Sequence, residues 1–141
     1  MNPYISVELQ RRVRVYFANL CAYCKTAEAL TATTFEIEHI NPRALGGETV
    51  FENLCLACPF CNRHKATRQT AIDPLTQEEF PLFHPHQEDW AEHFTWSEQS
   101  DEILGLTEIG RATITALKMN REALVKVRRL WIQLDEHPPA F

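Results

Sequence analysis

Two Cys-x-x-Cys pairs, Cys21/Cys24 and Cys58/Cys61, constrain this chain more than any other feature. Each pair supplies two thiolates from one tight turn, and together they offer the four ligands of a tetrahedral structural zinc. If one ion takes all four, the chain must leave the first knuckle and return to the second. Everything between Cys24 and Cys58 then lies in a loop that the metal closes. Rival uses of the spacing are weaker. A redox dithiol of the thioredoxin kind needs a βαβ context, which neither pair has. A disulfide framework suits exported proteins, and the segment Met1 to Glu8 shows no basic stretch leading into an apolar one. The expected compartment is therefore the reducing cytoplasm. Cys55 stands three before Cys58, so a Cys55/Cys58 pair is formally open, but its apolar surroundings read as a buried core thiol.

The 141 residues predict a single domain. Its expected parts are a core over about 20–70, an acidic loop-rich wrap over about 71–106 and a helical extension over about 107–136. No run of about 18 apolar residues exists, so no membrane span is expected. The net charge of −5 is unevenly spread. Residues 1–68 hold eight Lys/Arg and six Asp/Glu, and residues 111–141 hold six and three. Residues 69–110 hold ten acids and no Lys/Arg. Acidity confined to the middle leaves the cysteine framework free to meet a polyanion, because local charge governs that contact.

Ser6 predicts a helix start, with Glu8 in its first turn and Val7, Val13, Phe17 and Leu20 on its apolar side, ending just before Cys21. Its arginines Arg11, Arg12 and Arg14 read either as a solvated face or as contacts to a nucleic-acid backbone. Thr31 to Ile40 is rich in β-branched residues and predicts a strand that Asn41-Pro42 stops. Arg43 to Glu52, with Gly46-Gly47, reads as a loop, Leu54 to Ala57 as the returning strand, and Asn62 to about Thr70 as a helix. Ala71 to Pro85 reads as irregular chain, and Trp90, Phe94 and Trp96 as aromatics pinning the wrap to the core. His84, His86 and His93 match no compact metal motif. Thr107 and Asn120 predict the caps of two further helices, the second with an apolar stripe of Leu124, Val127, Leu130, Trp131 and Leu134. Lys126, Arg128 and Arg129 fall off that stripe, and His137-Pro138-Pro139 reads as a short tail.

Between the knuckles lie Glu38-His39-Ile40-x-Pro42, Gly46-Gly47 and Asn53-Leu54, followed by Cys58-x-x-Cys61-Asn62-x-x-Lys65. In that order these motifs resemble the HNH endonuclease family, in its small bacterial type with a four-cysteine zinc. The resemblance covers about residues 20–70, and the aromatic segment after Leu82 looks like the tail that follows this core. It implies an α+β fold with a ββα-metal (His-Me finger) core, an N-terminal helix and a mainly helical C-terminal extension. It implies metal-dependent hydrolysis of DNA phosphodiesters, with His39 as general base and Asn53 holding the His-bearing loop. Glu38 and Asn62 would hold a catalytic Mg²⁺ or Mn²⁺, while Cys21, Cys24, Cys58 and Cys61 hold structural Zn²⁺. Arg43, Arg63, Lys65 and Arg68 would contact backbone phosphates.

Two positions depart from the family's commoner residues: Glu38 where Asp or His is frequent, and Asn62 where His is frequent. Glu36, on the same strand face as Glu38, is an alternative carboxylate. His64, two residues beyond Asn62 on a helix, should point away. The alternative function is a zinc-stabilised module that binds nucleic acid or protein without hydrolysis.

Overall fold

A computed structural model describes residues 5–141. Ser6 accepts a hydrogen bond from Leu9 N and starts helix α1, Val7–Tyr16. The helix ends earlier than expected, because the chain reverses through Ala18 and Asn19, both with positive φ. Val13, Phe17 and Leu20 are buried, whereas Val7, in the first turn, lies in solvent.

The first strand is shorter than the β-branched run predicts. β1 is Glu36–His39, and Thr31 to Thr33 form bends instead. Local bonds outcompete the ladder there. The Thr31 hydroxyl donates to Glu28 O, and Phe35 N donates to the Glu28 carboxylate, itself ion-paired with Arg14. β1 pairs antiparallel with β2, Leu54–Ala57, with Glu36 opposite Ala57 and His39 opposite Leu54. All four β2 residues are buried, beneath α1. The next helix, α2, is Pro59–Lys65, three residues earlier than expected at its start. Cys58 is its N-cap and Pro59 its first residue, so the second knuckle is the helix N-terminus rather than a turn before it. The helix stops where Ala66 takes a positive φ of 48°.

Residues 70–85 are more ordered than their prolines imply. Thr70–Ile72 (β3) and Glu79–Pro81 (β4) form a hairpin whose turn is tied by Asp73. Trp90–His93 is a short helix, α3, and Phe94–Trp96 (β5) pairs with Ile103–Gly105 (β6). The aromatics do anchor this segment: Trp90 and Phe94 are buried, and Trp90 Nε1 donates to Tyr23 O at 2.8 Å inside the first knuckle. His84, His86 and His93 are all taken up in hydrogen bonds, to the Glu88 loop, Leu54 O and Thr107 respectively.

Thr107 caps α4, Glu108–Leu117, through Gly110 N. Asn120 does not cap the last helix. α5 is Glu122–Gln133 with Arg121 at its N-cap, while the Asn120 amide brackets Ile103 N and O. The buried face of α5 is also rotated from the expected stripe. Leu124, Arg128 and Trp131 face inward, and Leu130 and Leu134 are solvent-exposed. Residue 130 lies about 200° around the helix from 128, so the two cannot share a face. His137 is buried against Trp96 and Phe141 reaches Lys25 and Trp90, so this end is packed rather than loose. The fold is α+β, with three two-stranded antiparallel sheets among the described residues and a core cluster running from Ile5 to Trp131. No helix among the described residues is long and apolar enough to cross a membrane.

Candidate active site and metal centre

The knuckles meet because β2 carries one to the other. Ala22 N donates to Leu56 O at 2.7 Å, fastening the Cys21–Cys24 turn to the strand that ends at Cys58. All four Sγ atoms lie within 4.8 Å of one another, fully secluded, with no disulfide. Cys24 and Cys58 are 3.8 Å apart, and a tetrahedron with 2.3 Å Zn–S bonds has edges of roughly 3.8 Å. Without a metal, four such thiols cannot ionise together. Burial pushes Cys21 up, the neighbouring thiols push Cys61 up, and hydrogen bonds from Cys21, Cys58 and Cys61 hold Cys24 down. The site therefore has the donors, spacing and seclusion that tetrahedral zinc requires. Cys55 is outside it: its Sγ points to Tyr23 Oη and, at 3.3 Å, to the Glu38 carboxylate.

Glu36 and Glu38 project from one face of β1, as alternate strand residues do. Asn62 and Lys65, one turn apart on α2, face them. The result is a seam with two rungs. In the outer rung Asn62 Nδ2 donates to Glu36 Oε1 at 2.7 Å, in solvent. In the inner rung Lys65 Nζ stands 3.4 Å from Glu38 Oε1, with both side chains at most 5% exposed. Tyr23 Oη donates to Glu38 Oε2 at 3.0 Å, and Lys65 also donates to Ile40 O at 2.8 Å. Burial raises the Glu38 pKa, and Lys65 opposes that rise.

Glu38 lines the cleft together with Asn62, but its carboxylate is buried: Oε2 is taken by Tyr23 and Cys55, and Oε1, 3.4 Å from Lys65 Nζ, has no hydrogen-bond partner. The carboxylate that meets Asn62 is Glu36. Lys65 is likewise no surface contact for phosphate, since its ammonium is consumed inside the seam. The remaining basic residues, Arg43, Arg63 and Arg68, are exposed. His64 does turn away, stacking on Phe60 with ring centroids 4.1 Å apart and Nδ1 against Phe60 O.

His39 ends β1 at the rim of an open cleft of about 600 Å³, which Arg43 and Asn62 also line. Its Nε2 is 2.9 Å from Thr49 Oγ1. Partial burial, and then the Arg43 charge, lower its pKa, so the imidazole is neutral near pH 7. Asn53 ties the two ends of the 40–53 loop: its Oδ1 accepts from Asn41 N at 2.8 Å, and its Nδ2 donates to Asn41 O and Glu48 O. Gly47 makes this closure possible, because a Cβ there would stand 1.8 Å from Asn41 O. Sequence reasoning missed Thr49 and Tyr23. A hydroxyl two residues after a diglycine and a tyrosine inside a knuckle carry no periodic signal, and only the closed fold gives them partners.

Geometry now stands beside similarity. Residues 21–68 match the HNH endonuclease family model. The HNH match spans about a third of the chain, from the first knuckle to the end of α2, and takes in the whole of the seam and the cleft. No curated protein and no solved structure matches the chain. Among the described residues, the four cysteines are the one group of three or more Cys, His, Asp or Glu ligand atoms close enough to share an ion. The side-chain oxygens beside His39 that could meet a second cation are those of Glu38 and Asn62, which line the cleft, and of Glu36, hydrogen-bonded to Asn62; oxygen donors of this kind fit a hard divalent ion.

Proposed function

We propose that this chain is a metal-dependent endonuclease that hydrolyses DNA phosphodiester bonds on a ββα-metal core. The observation that carries the reading is His39, held at the rim of the cleft that Asn62 lines, inside the segment that matches the HNH family. His39, neutral at working pH, accepts the proton of the attacking water. Thr49 and the Asn53-closed loop hold the imidazole in place. Glu36 and Asn62 hold Mg²⁺ or Mn²⁺, as hard oxygen donors prefer. When bound, that cation supplies positive charge beside the scissile phosphate and its departing oxygen. Glu38, which lines the same cleft and lies against Lys65, is the alternative carboxylate ligand. Arg43, with Arg63 and Arg68 outside it, meets the flanking phosphates. Structural Zn²⁺ on the four cysteines fixes β2 against α2, and residues 1–141 act as one nuclease domain. Thiols that must stay reduced to bind zinc accord with the cytoplasm.

Supercoiled plasmid tests the reading directly. With Mg²⁺ or Mn²⁺ the wild type should nick or linearise it, and EDTA should stop the reaction. His39→Ala should slow cleavage by at least about 10²-fold. A plasmid left intact by the wild type under every divalent metal would overturn the enzyme reading, and cleavage unchanged in His39→Ala would remove His39 as base.

A further inference from the structure

Three cations lie on the segments packed at the cysteine cluster, and none of them makes an ion pair with a carboxylate among the described residues. Arg128, on α5, is 1% exposed. Its guanidinium donates to Asp101 O, Asn120 Oδ1 and Met119 O, all neutral acceptors, and makes no ion pair among the described residues. The Asp101 carboxylate is engaged by Arg129 and Ser97 instead. Arg121 lies with Cζ 3.5 Å above the Phe60 ring, inside the Cys58–Cys61 knuckle, and its Nη1 is buried without a hydrogen-bond partner. Lys25, directly after Cys24, is 8% exposed, and its ammonium faces the rings of Phe141 and Trp90.

A buried charge with only neutral partners is costly, so such groups are expected to have a counter-ion. The matching anion lies in the cysteines. Four thiolates on one Zn²⁺ form a dianion. α5 stands against that centre: Arg121, Leu124 and Trp131 line one groove together with Cys58 and Phe60. Burial works against the charge on Arg128, and so does neighbouring Arg121, while the Cys24 and Cys61 groups and then the Asp101 carboxylate support it.

We propose that Arg128, assisted by Arg121 and Lys25, is the counter-charge of the four-cysteine zinc centre, so that the C-terminal helix is an electrostatic part of the metal site. Arg128 is then a positioning residue for zinc, although it lies well outside the segment that matches the HNH family. This rests on the cysteines holding zinc.

The test uses the purified full chain and begins with its metal content. A folded wild type without zinc overturns the zinc reading and the collar with it. With zinc present, release to an excess of chromogenic chelator is compared for wild type, Arg128→Met and Arg128→Lys. Arg128→Met should release zinc about 10–100-fold faster, the range seen when an outer partner of a metal ligand is lost. Arg128→Lys, which keeps the charge, should stay much closer to wild type. In the Co²⁺-substituted protein, the thiolate-to-metal charge-transfer band of Arg128→Met should move to lower energy, because the sulfur electrons are less stabilised. The tetrahedral d–d bands should persist. A purely packing role would not move that band. Unchanged release and an unmoved band in folded, metal-loaded Arg128→Met overturn the proposal. If Arg128→Met does not fold, Arg121→Met carries the test, and an unmoved charge-transfer band there overturns it equally.

Discussion

From Cys21 to Lys65 the fold is held at close quarters, by four thiols and by a two-rung seam between β1 and α2. From Gln69 onward it is held by contacts that span long stretches of chain. Arg111 grips Asp73 through two bonds of 2.9 Å, across 38 residues. Arg129 grips Asp101 across 28. The comparison gives two acids of the acidic block a role: its two most enclosed, Asp73 and Asp101, serve as partners for arginines on α4 and α5. The first region gathers four buried thiols that could share one metal ion. The second neutralises itself, Arg128 excepted.

The largest effect should come from breaking the first region's clamp. Cys61→Ser, or zinc stripping by a chelator, removes an interaction of about 10–16 kcal/mol on the scale of zinc-finger peptides. That matches or exceeds the whole stability of about 5–15 kcal/mol expected of a domain. The variant should lose cooperative thermal unfolding and the near-UV signal of Trp90 against Tyr23. A Cys61→Ser protein that melts cooperatively at the wild-type temperature would show the ion pairs and aromatics alone to be sufficient.

The two regions also differed in how much of them could be read from sequence. The knuckles were legible because each is a turn of four residues whose spacing alone fixes the donor geometry. The motif order around His39, Asn53 and Asn62 was legible for a related reason, since the β1–β2–α2 connections are local. The choice between the two carboxylates is not legible. Glu36 and Glu38 share a strand face, and only the depth of the seam puts one in solvent and the other on Lys65. The Asp73–Arg111 clamp and the inward turn of Arg128 were illegible for a stronger reason. A charged residue predicts exposure, and it is overridden only by a partner whose position in sequence is arbitrary. The Thr31–Thr33 bends show the same limit on a smaller scale, where the Glu28 side chain outcompeted β propensity.

The next effect separates the two rungs of the seam. Glu38→Gln leaves Lys65 as a buried, unpaired ammonium and should cost about 3–5 kcal/mol in denaturant unfolding. Glu36→Gln, in solvent, should leave stability nearly unchanged and reduce cation-supported cleavage on the order of 10²-fold. Metal titration of cleavage, run beside urea melts of both variants, checks the pair. The reverse result, with Glu38→Gln stable and metal-blind and Glu36→Gln silent, would return the cation to Glu38.

A smaller change targets the loop that joins β1 to β2. Gly47→Ala adds a methyl where Asn41 O stands 1.8 Å away, so the 40–53 loop must shift. Overpacking of this kind costs about 1–3 kcal/mol, while displacement of His39 by roughly 1 Å would slow cleavage on the order of 10²-fold. The expected signature is therefore a modest loss of stability beside a large loss of rate. Equal activity in Gly47→Ala would mean that the Asn53 closure does not set the position of His39.

The smallest effect belongs to the second region and is visible mainly through pH. Arg111 first, and then backbone and side-chain bonds within the turn, hold the Asp73 carboxyl far below the usual carboxylate range. A depressed carboxyl stabilises the fold above its unfolded pKa of about 3.9, and that contribution is lost as pH falls toward the folded value. Asp73→Asn should therefore lower the melting temperature by a few degrees near pH 7, and the gap to wild type should close steadily below about pH 4. Because the one amide oxygen of Asn can still accept from Leu75 N, although its NH2 cannot replace the oxygen that Thr76 uses, the fold should persist. A gap that stays constant down to low pH would mean that Asp73 acts by shape, with Arg111 gaining nothing from its charge. The contrast with Cys61→Ser would then rest on packing alone, and the acidic block would lose its electrostatic role.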